Sequence, residues 1–153
     1  MIQFSRESVG SVWGEAMALS GGHYAETGIC NGKLPMKMDR DWYDRAEEAG
    51  SLRVYTARER GELAGYATWV LSNLPHHRGV CAAVNDVIYL RPQNRKGSTA
   101  MRWLKYMESS VHADGAAVIF AQSRTHVPAL ASVLNHLGYE AVEVTHVKLL
   151  ETI

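Results

Sequence analysis

The segment between residues 80 and 121 constrains the fold more than any other. Val80–Leu90 is a long apolar run, and Pro92 ends it. Ser98–Ala113 then reads as an amphipathic helix, with Ala100, Leu104, Met107 and Val111 on one face. Asp114-Gly115 closes that helix. Ala117–Ala121 is short, apolar and bounded by breakers, as a buried parallel strand would be. A strand, a crossover helix and a second strand place two parallel strands in one sheet.

The chain before this unit supplies antiparallel strands. Ile2–Phe4 reads as a first strand, with Ser5 as the N-cap of a helix carrying Val9, Val12, Trp13, Ala16 and Met17 on one face. Gly21-Gly22 is expected to stop that helix, leaving His23–Lys37 as a long connection with at most one helical turn. Asp39 or Asp41 caps a second helix with a Trp42, Ala46 and Ala49 stripe. Leu52–Ala57 and Glu62–Leu71 flank the polar turn Arg58–Gly61 and form a hairpin. Asn73–Gly79 is a loop holding Pro75, His76 and His77.

After the parallel unit, Pro128 opens a last helix with Leu130, Val133, Leu134 and Leu137 on its buried face, and Gly138 ends it. Tyr139–Leu150 is rich in Val and Thr and reads as one long strand or a hairpin. The order β-α-α-β-β-β-α-β-α-β gives an α/β fold of α+β type: one mixed sheet with helices on its faces. Residues 1–153 form a single domain, since two would each be near the lower size limit.

Composition narrows the function. Lys plus Arg is 16 and Asp plus Glu is 16, so no basic excess favours a general nucleic-acid binder. No apolar run approaches the ~18 residues of a membrane span. The segment MIQFSRESVG lacks the regions of a secretory signal, and Cys30 and Cys81 make no zinc site by themselves. The expected compartment is a reducing cytoplasm, with no metal, nucleic acid or membrane partner.

Against this neutral background, residues 91–105 (RPQNRKGSTAMRWLK) hold Arg91, Arg95, Lys96, Arg102 and Lys105 and no acid. They lie where a strand turns into a helix, with Gly97, Ser98 and Ala100 keeping side chains small. Backbone N–H groups at a helix N-terminus are unpaired and hold phosphate. The segment reads as a pyrophosphate-binding turn; the alternative is a solvated basic loop that caps a helix.

These residues resemble the acetyl-CoA motif of GCN5-related N-acetyltransferases (GNAT), in which a strand and Pro precede R-x-x-G/A-x-G/A at the start of a helix. The matching run is Arg95-Lys96-Gly97-Ser98-Thr99-Ala100, with Ser98 where the family usually has glycine and Gly97 one place early. GELAGYATWV from Gly61, NDVIYLRP, and LNHLGYEAVE are also similar to successive family segments, so the resemblance covers roughly residues 50–150. NDVIYLRPQNRKG is in addition similar to a subgroup associated with phages and prophages.

The resemblance implies a GNAT-like acyltransferase fold and an acetyl-CoA-dependent N-acetyltransferase acting on a primary amine. Pantetheine would lie between splayed fourth and fifth strands, pairing with backbone groups of Ile88, Tyr89 and Leu90. The pyrophosphate would sit on Arg95, Lys96, Gly97, Ser98, Thr99 and Ala100. Asp86 is the candidate base: by strand parity it shares a face with Ile88 and Leu90, and burial among apolar residues would favour its protonated form. His76 and His77 are candidates for binding the acceptor.

Many family members protonate the departing thiolate with a tyrosine at the position that Leu134 holds here. A thiol of pKa ~8.5 is a fair leaving group unaided. The missing tyrosine and Ser98 favour an alternative, a catalytically silent module of the same fold that binds CoA or a protein partner. Family members usually close the sheet with two strands after the last helix. One long strand here would leave an edge for a homodimer to cover.

Overall fold

The computed structural model describes residues 1–151 and 153. Five strands form one sheet in the order β1-β2-β3-β4-β5. They are β1 (Ile2–Glu7), β2 (Leu52–Glu59), β3 (Glu62–Asn73), β4 (Cys81–Leu90) and β5 (Val118–Phe120). Neighbours pair antiparallel except β4 and β5, which are parallel. The helices are α1 (Val9–Thr27), α2 (Arg40–Glu48), α3 (Thr99–Ala113) and α4 (Pro128–His136). This is the mixed sheet with flanking helices expected from the order of elements.

Each face of the sheet has its own core. Val9, Val12 and Ala16 of α1 and Tyr43 of α2 pack with Leu52, Val54, Leu63, Tyr66 and Tyr89 on one face. Trp103, Leu104, Met107 and Val111 of α3 and Leu134 of α4 pack with Tyr55, Ala57, Ala67, Trp69, Ala83 and Leu90 on the other. Successive strand residues point to opposite faces, so a strand covered on both sides is apolar throughout. β3 shows this: Leu63–Trp69 is buried without interruption.

Several boundaries differ from the sequence expectation. β1 runs on to Glu7 because it pairs with β2 through Glu7↔Val54. Ser5 is therefore in the strand, 2.8 Å from Thr56 Oγ1, and Ser8 caps α1 by accepting from the Ser11 N–H. Gly21-Gly22 does not stop α1. A Cβ at Gly22 would lie 2.8 Å from the Tyr89 hydroxyl, so this glycine lets the helix pass close to β4. α1 ends at Gly28, whose N–H donates to Tyr24 O.

Asp39, not Asp41, caps α2, accepting from the Trp42 N–H. Tyr43 is its buried residue, whereas Trp42 is 41% exposed. On α4 only Leu134 is fully buried; Leu130, Val133 and Leu137 pack partly against the core. The expected strand over Tyr139–Leu150 does not form. Val142, Val144, Val147 and Leu150 stand exposed, and no described strand pairs with the outer edge of β5. Strand propensity becomes structure only when a partner ladder and a covered face are supplied.

Candidate active site at the parting of β4 and β5

β4 and β5 pair over three residues only: Ala82↔Val118, Ala83↔Ile119 and Val84↔Phe120. Asn85 ends the pairing. Its side-chain amide donates to Gln122 O and its carbonyl accepts from the Gln122 N–H, replacing a backbone rung with a side chain. β5 ends at Phe120 while β4 runs on to Leu90, so the far end of β4 has no described strand on this side.

Backbone groups alternate in direction along a strand. The Arg91 N–H donates to Ala64 O of β3, so Tyr89 also turns its backbone toward β3. Ile88 and Leu90 turn theirs toward the gap, and the Leu90 carbonyl accepts from Arg95 Nε at 2.7 Å. Of the three backbone positions expected to meet pantetheine, two therefore face the opening. The Tyr89 backbone pairs opposite Tyr66, and its ring lies on the α1 side.

Past Leu90 the chain runs through residues 91–98 to the start of α3. Gly97 has φ 59°, a left-handed conformation open to glycine, which turns the chain into the helix. Ser98 stands at the N-cap without a side-chain bond, so the helix begins one residue later than expected. Among the described residues, the N–H groups of Gly97, Ser98, Ala100 and Met101 have no acceptor, while Thr99 N donates to Lys96 O. Arg91 and Lys96 border this turn. Free N–H groups, the helix dipole and these cations together favour an anion.

Arg95 is engaged differently from a free phosphate ligand. Its Nη2 lies 2.9 and 2.7 Å from the two carboxylate oxygens of Glu26, near the end of α1. The guanidinium also stacks over the Tyr89 ring at 5.7 Å. The Glu26 carbonyl meets His126 Nε2 at 3.1 Å. The last turn of α1 thus touches the segments following both strands.

Asp86 sits at a β-bulge. Thr68 pairs with Val87 and Trp69 with Asn85, leaving Asp86 as the extra residue on β4. The bulge resets the alternation. Asp86 therefore does not share a face with Ile88 and Leu90: those two pack toward α3, while Asp86 meets Tyr43 and Thr68 on the α1–α2 side. Nor is it buried, as the sequence reading expected: its side chain is exposed. Both Tyr43 OH and Thr68 Oγ1 donate to Oδ2. Beside them lies an apolar cavity of about 20 Å³ bordered by Trp13, Met17, Met38 and Tyr66.

A buried aromatic cluster backs the bulge. His23 is 4% exposed, its Nδ1 is 2.8 Å from Tyr66 OH, and its ring stacks on Tyr89 at 5.0 Å. Burial pushes the imidazole down to about 4, so it is neutral near pH 7. Burial also raises the Tyr43 and Tyr66 hydroxyls well above the usual tyrosine range, Tyr43 further through Asp86, so both remain hydrogen-bond donors.

His76 and His77 are exposed in the loop preceding β4. The five residue steps from Cys81 to Asp86 place that loop about 17 Å along the strand from the bulge. The structure brings neither histidine into contact with the site. Leu134 is buried against the α3 core. Among the described residues no group of three or more His, Cys, Asp or Glu is placed to hold a metal ion, and no helix is long and apolar enough to cross a membrane.

Sequence reading missed Asn85, Tyr43, Thr68, His23 and Glu26. One signal was present: Asn85-Asp86 puts two adjacent polar residues in an apolar strand, breaking its alternation as a bulge does.

No family model and no curated protein matches the chain. Its fold, however, matches solved structures over nearly its whole length. A ribosomal-protein-alanine N-acetyltransferase from Brucella melitensis biovar Abortus 2308 is 12% identical, with a TM-score of 0.74 over 99% of this chain and 100% of that one. A predicted acetyltransferase from Clostridium acetobutylicum, solved with acetyl-CoA, is 12% identical, with a TM-score of 0.75 over 98% and 97%. An aminoglycoside acetyltransferase from an uncultured soil metagenomic sample is 17% identical, with a TM-score of 0.73 over 97% of each chain. The chain has the GNAT acyltransferase fold.

Proposed function

We propose that this protein transfers an acetyl group from acetyl-CoA to a primary amine. One observation carries the reading: pairing of β4 with β5 stops at Val84 and Phe120, which leaves the far end of β4 without a strand partner on that side, just before a turn whose Gly97, Ser98, Ala100 and Met101 N–H groups have no acceptor among the described residues. That arrangement suits a long ligand with an anionic end. The solved Clostridium protein of this fold holds acetyl-CoA, and the aminoglycoside acetyltransferase AAC(6')-Iy, with a TM-score of 0.72, was solved with a CoA-linked bisubstrate analogue.

Acetyl-CoA would supply a thioester whose carbonyl carbon accepts the amine lone pair. The residues then have separable tasks. The N–H groups of Gly97, Ser98, Ala100 and Met101, with Arg91 and Lys96, hold the diphosphate. The Ile88 and Leu90 backbones align the pantetheine arm, and a strand N–H facing the gap stabilises the negative charge that develops on the carbonyl oxygen. Asp86 accepts the proton that the attacking amine must lose. The C–N bond forms, the C–S bond breaks, and the thiolate leaves without a tyrosine at position 134.

The test is calorimetry with acetyl-CoA, followed by thiol release with an aminoglycoside, a polyamine, a peptide with N-terminal alanine and a lysine peptide. Saturable binding and turnover with at least one amine are expected. No binding at millimolar acetyl-CoA would defeat the reading. Binding without turnover, with no effect of Asp86→Ala, would support the silent module instead, which the leucine at 134 and the Glu26 carboxylate on Arg95 favour.

A further inference from the structure

The acetyl-transfer reading gives Asp86 the task of taking a proton, yet an exposed carboxylate on a bulge has rotational freedom that weakens a base. Two hydroxyls remove that freedom. Tyr43 OH from α2 and Thr68 Oγ1 from β3, the latter at 3.2 Å, both donate to Oδ2. No described residue bonds Oδ1. The carboxylate is held by one oxygen and presents the other.

Tyr43 is built for this contact. It is the buried residue of α2, and its ring is fixed by Trp13 at 5.8 Å and by Trp42 edge-on at 5.0 Å. A phenol needed only to fill the core would be served by phenylalanine. Here the hydroxyl leaves the core and ends on the bulge.

We propose that Tyr43 is a positioning residue for acetyl transfer, fixing Asp86 through Oδ2 so that Oδ1 faces the attacking amine. This rests on Asp86 acting as the base. It adds α2, an element remote from the diphosphate turn, to the machinery of the reaction, and assigns a functional reason for the Tyr43 hydroxyl.

The test is a double-mutant cycle in thiol release from acetyl-CoA, with the aminoglycoside, the polyamine, the N-terminal-alanine peptide and the lysine peptide as acceptors. Tyr43→Phe should lower kcat about ten- to hundredfold, as loss of a hydrogen bond to a charged group does, with the KM for acetyl-CoA unchanged. In an Asp86→Ala background the same substitution should cost nothing more. Thr68→Val, run in parallel, removes the other donor to Oδ2 and should show the same non-additivity, so the idea does not depend on one variant folding.

A further loss from Tyr43→Phe in the Asp86→Ala background, or a full rate for Tyr43→Phe alone, overturns the positioning role. A full rate for Asp86→Ala overturns the base itself, and Tyr43's role with it. Absence of thiol release by the unaltered protein with all four amines overturns the transfer reading together with this one.

Discussion

Glu26 and Arg95 form a two-contact ion pair, at 2.9 and 2.7 Å, that ties the last turn of α1 to the bend before α3. Both side chains are about a third exposed, at 28% and 33%. The Arg95 guanidinium, in the bend before the proposed diphosphate turn, is therefore already paired with a carboxylate. Because an anionic ligand and Glu26 compete for one cation, Glu26→Gln is expected to tighten acetyl-CoA binding, by up to about fivefold for a pair this exposed. Arg95→Glu should weaken it. Calorimetry decides the matter: weaker binding by Glu26→Gln would show that the pair organises the turn rather than competing with the ligand.

Stability should depend on pH in two windows that meet near pH 4. The His23 imidazole is held down to about 4 by burial, against an ordinary value of 6.5. Between these values the unfolded chain binds a proton that the folded chain does not, so stability falls as pH drops from 6.5 to 4, by roughly 3 kcal/mol in all. Glu7 is held down to about 2, chiefly by its hydrogen bonds from Arg58, so its contribution is present above 4.5 and lost between 4.5 and 2. His23→Gln should flatten the upper window and leave the lower one. Equal slopes for the two proteins between pH 6.5 and 4.5 in urea denaturation would count against the assignment.

Two glycines should respond oppositely to alanine. A Cβ at Gly65 would meet the Tyr89 carbonyl oxygen at 2.6 Å and Leu90 Cδ1 at 2.9 Å, so β4 would have to move. Gly65→Ala is expected to cost about 1–3 kcal/mol and to weaken acetyl-CoA binding, since Leu90 borders the gap. Gly14 lies inside α1 with nothing within 4 Å of an added Cβ. Gly14→Ala should stabilise by about 0.5–1 kcal/mol. Thermal melting of the two variants checks both signs.

Asn85 holds Gln122 where the strands part, and it is 6% exposed. Asn85→Ala would leave both backbone groups of Gln122 without this partner, a cost of about 1–3 kcal/mol. A loss of acetyl-CoA affinity beyond what the melting temperature explains is expected, because this contact fixes the chain that follows β5 beside the proposed pantetheine position. An unchanged affinity would show that the backbone alone holds that segment.

The elements that sequence reading placed well are those specified within a few residues. The 99–113 helix follows from the spacing of Leu104, Met107 and Val111, and the β2–β3 hairpin from the polar turn Arg58–Gly61 between two apolar runs. The basic turn was visible because its charges are contiguous. Hydrophobic periodicity and turn chemistry are short-range properties, so they can be read from a short window of chain.

What the window does not contain is the partner. Gly21-Gly22 has the composition of a helix stop, yet it is the close pass of Tyr89, far along the chain, that gives Gly22 its role. Asp86 was assigned to the wrong face because a bulge exists only relative to a second strand; Thr68 and Trp69 supply the count that β4 alone lacks. Tyr43 on Asp86, Glu26 on Arg95 and Asn85 on Gln122 join residues 37 to 69 positions apart. The Val-rich tail over residues 140–150 has strand composition, yet it forms no strand on the sheet. Local sterics and patterning select the elements, whereas contacts closed across the folded chain decide which side chains meet, and the candidate site is made almost wholly of the latter.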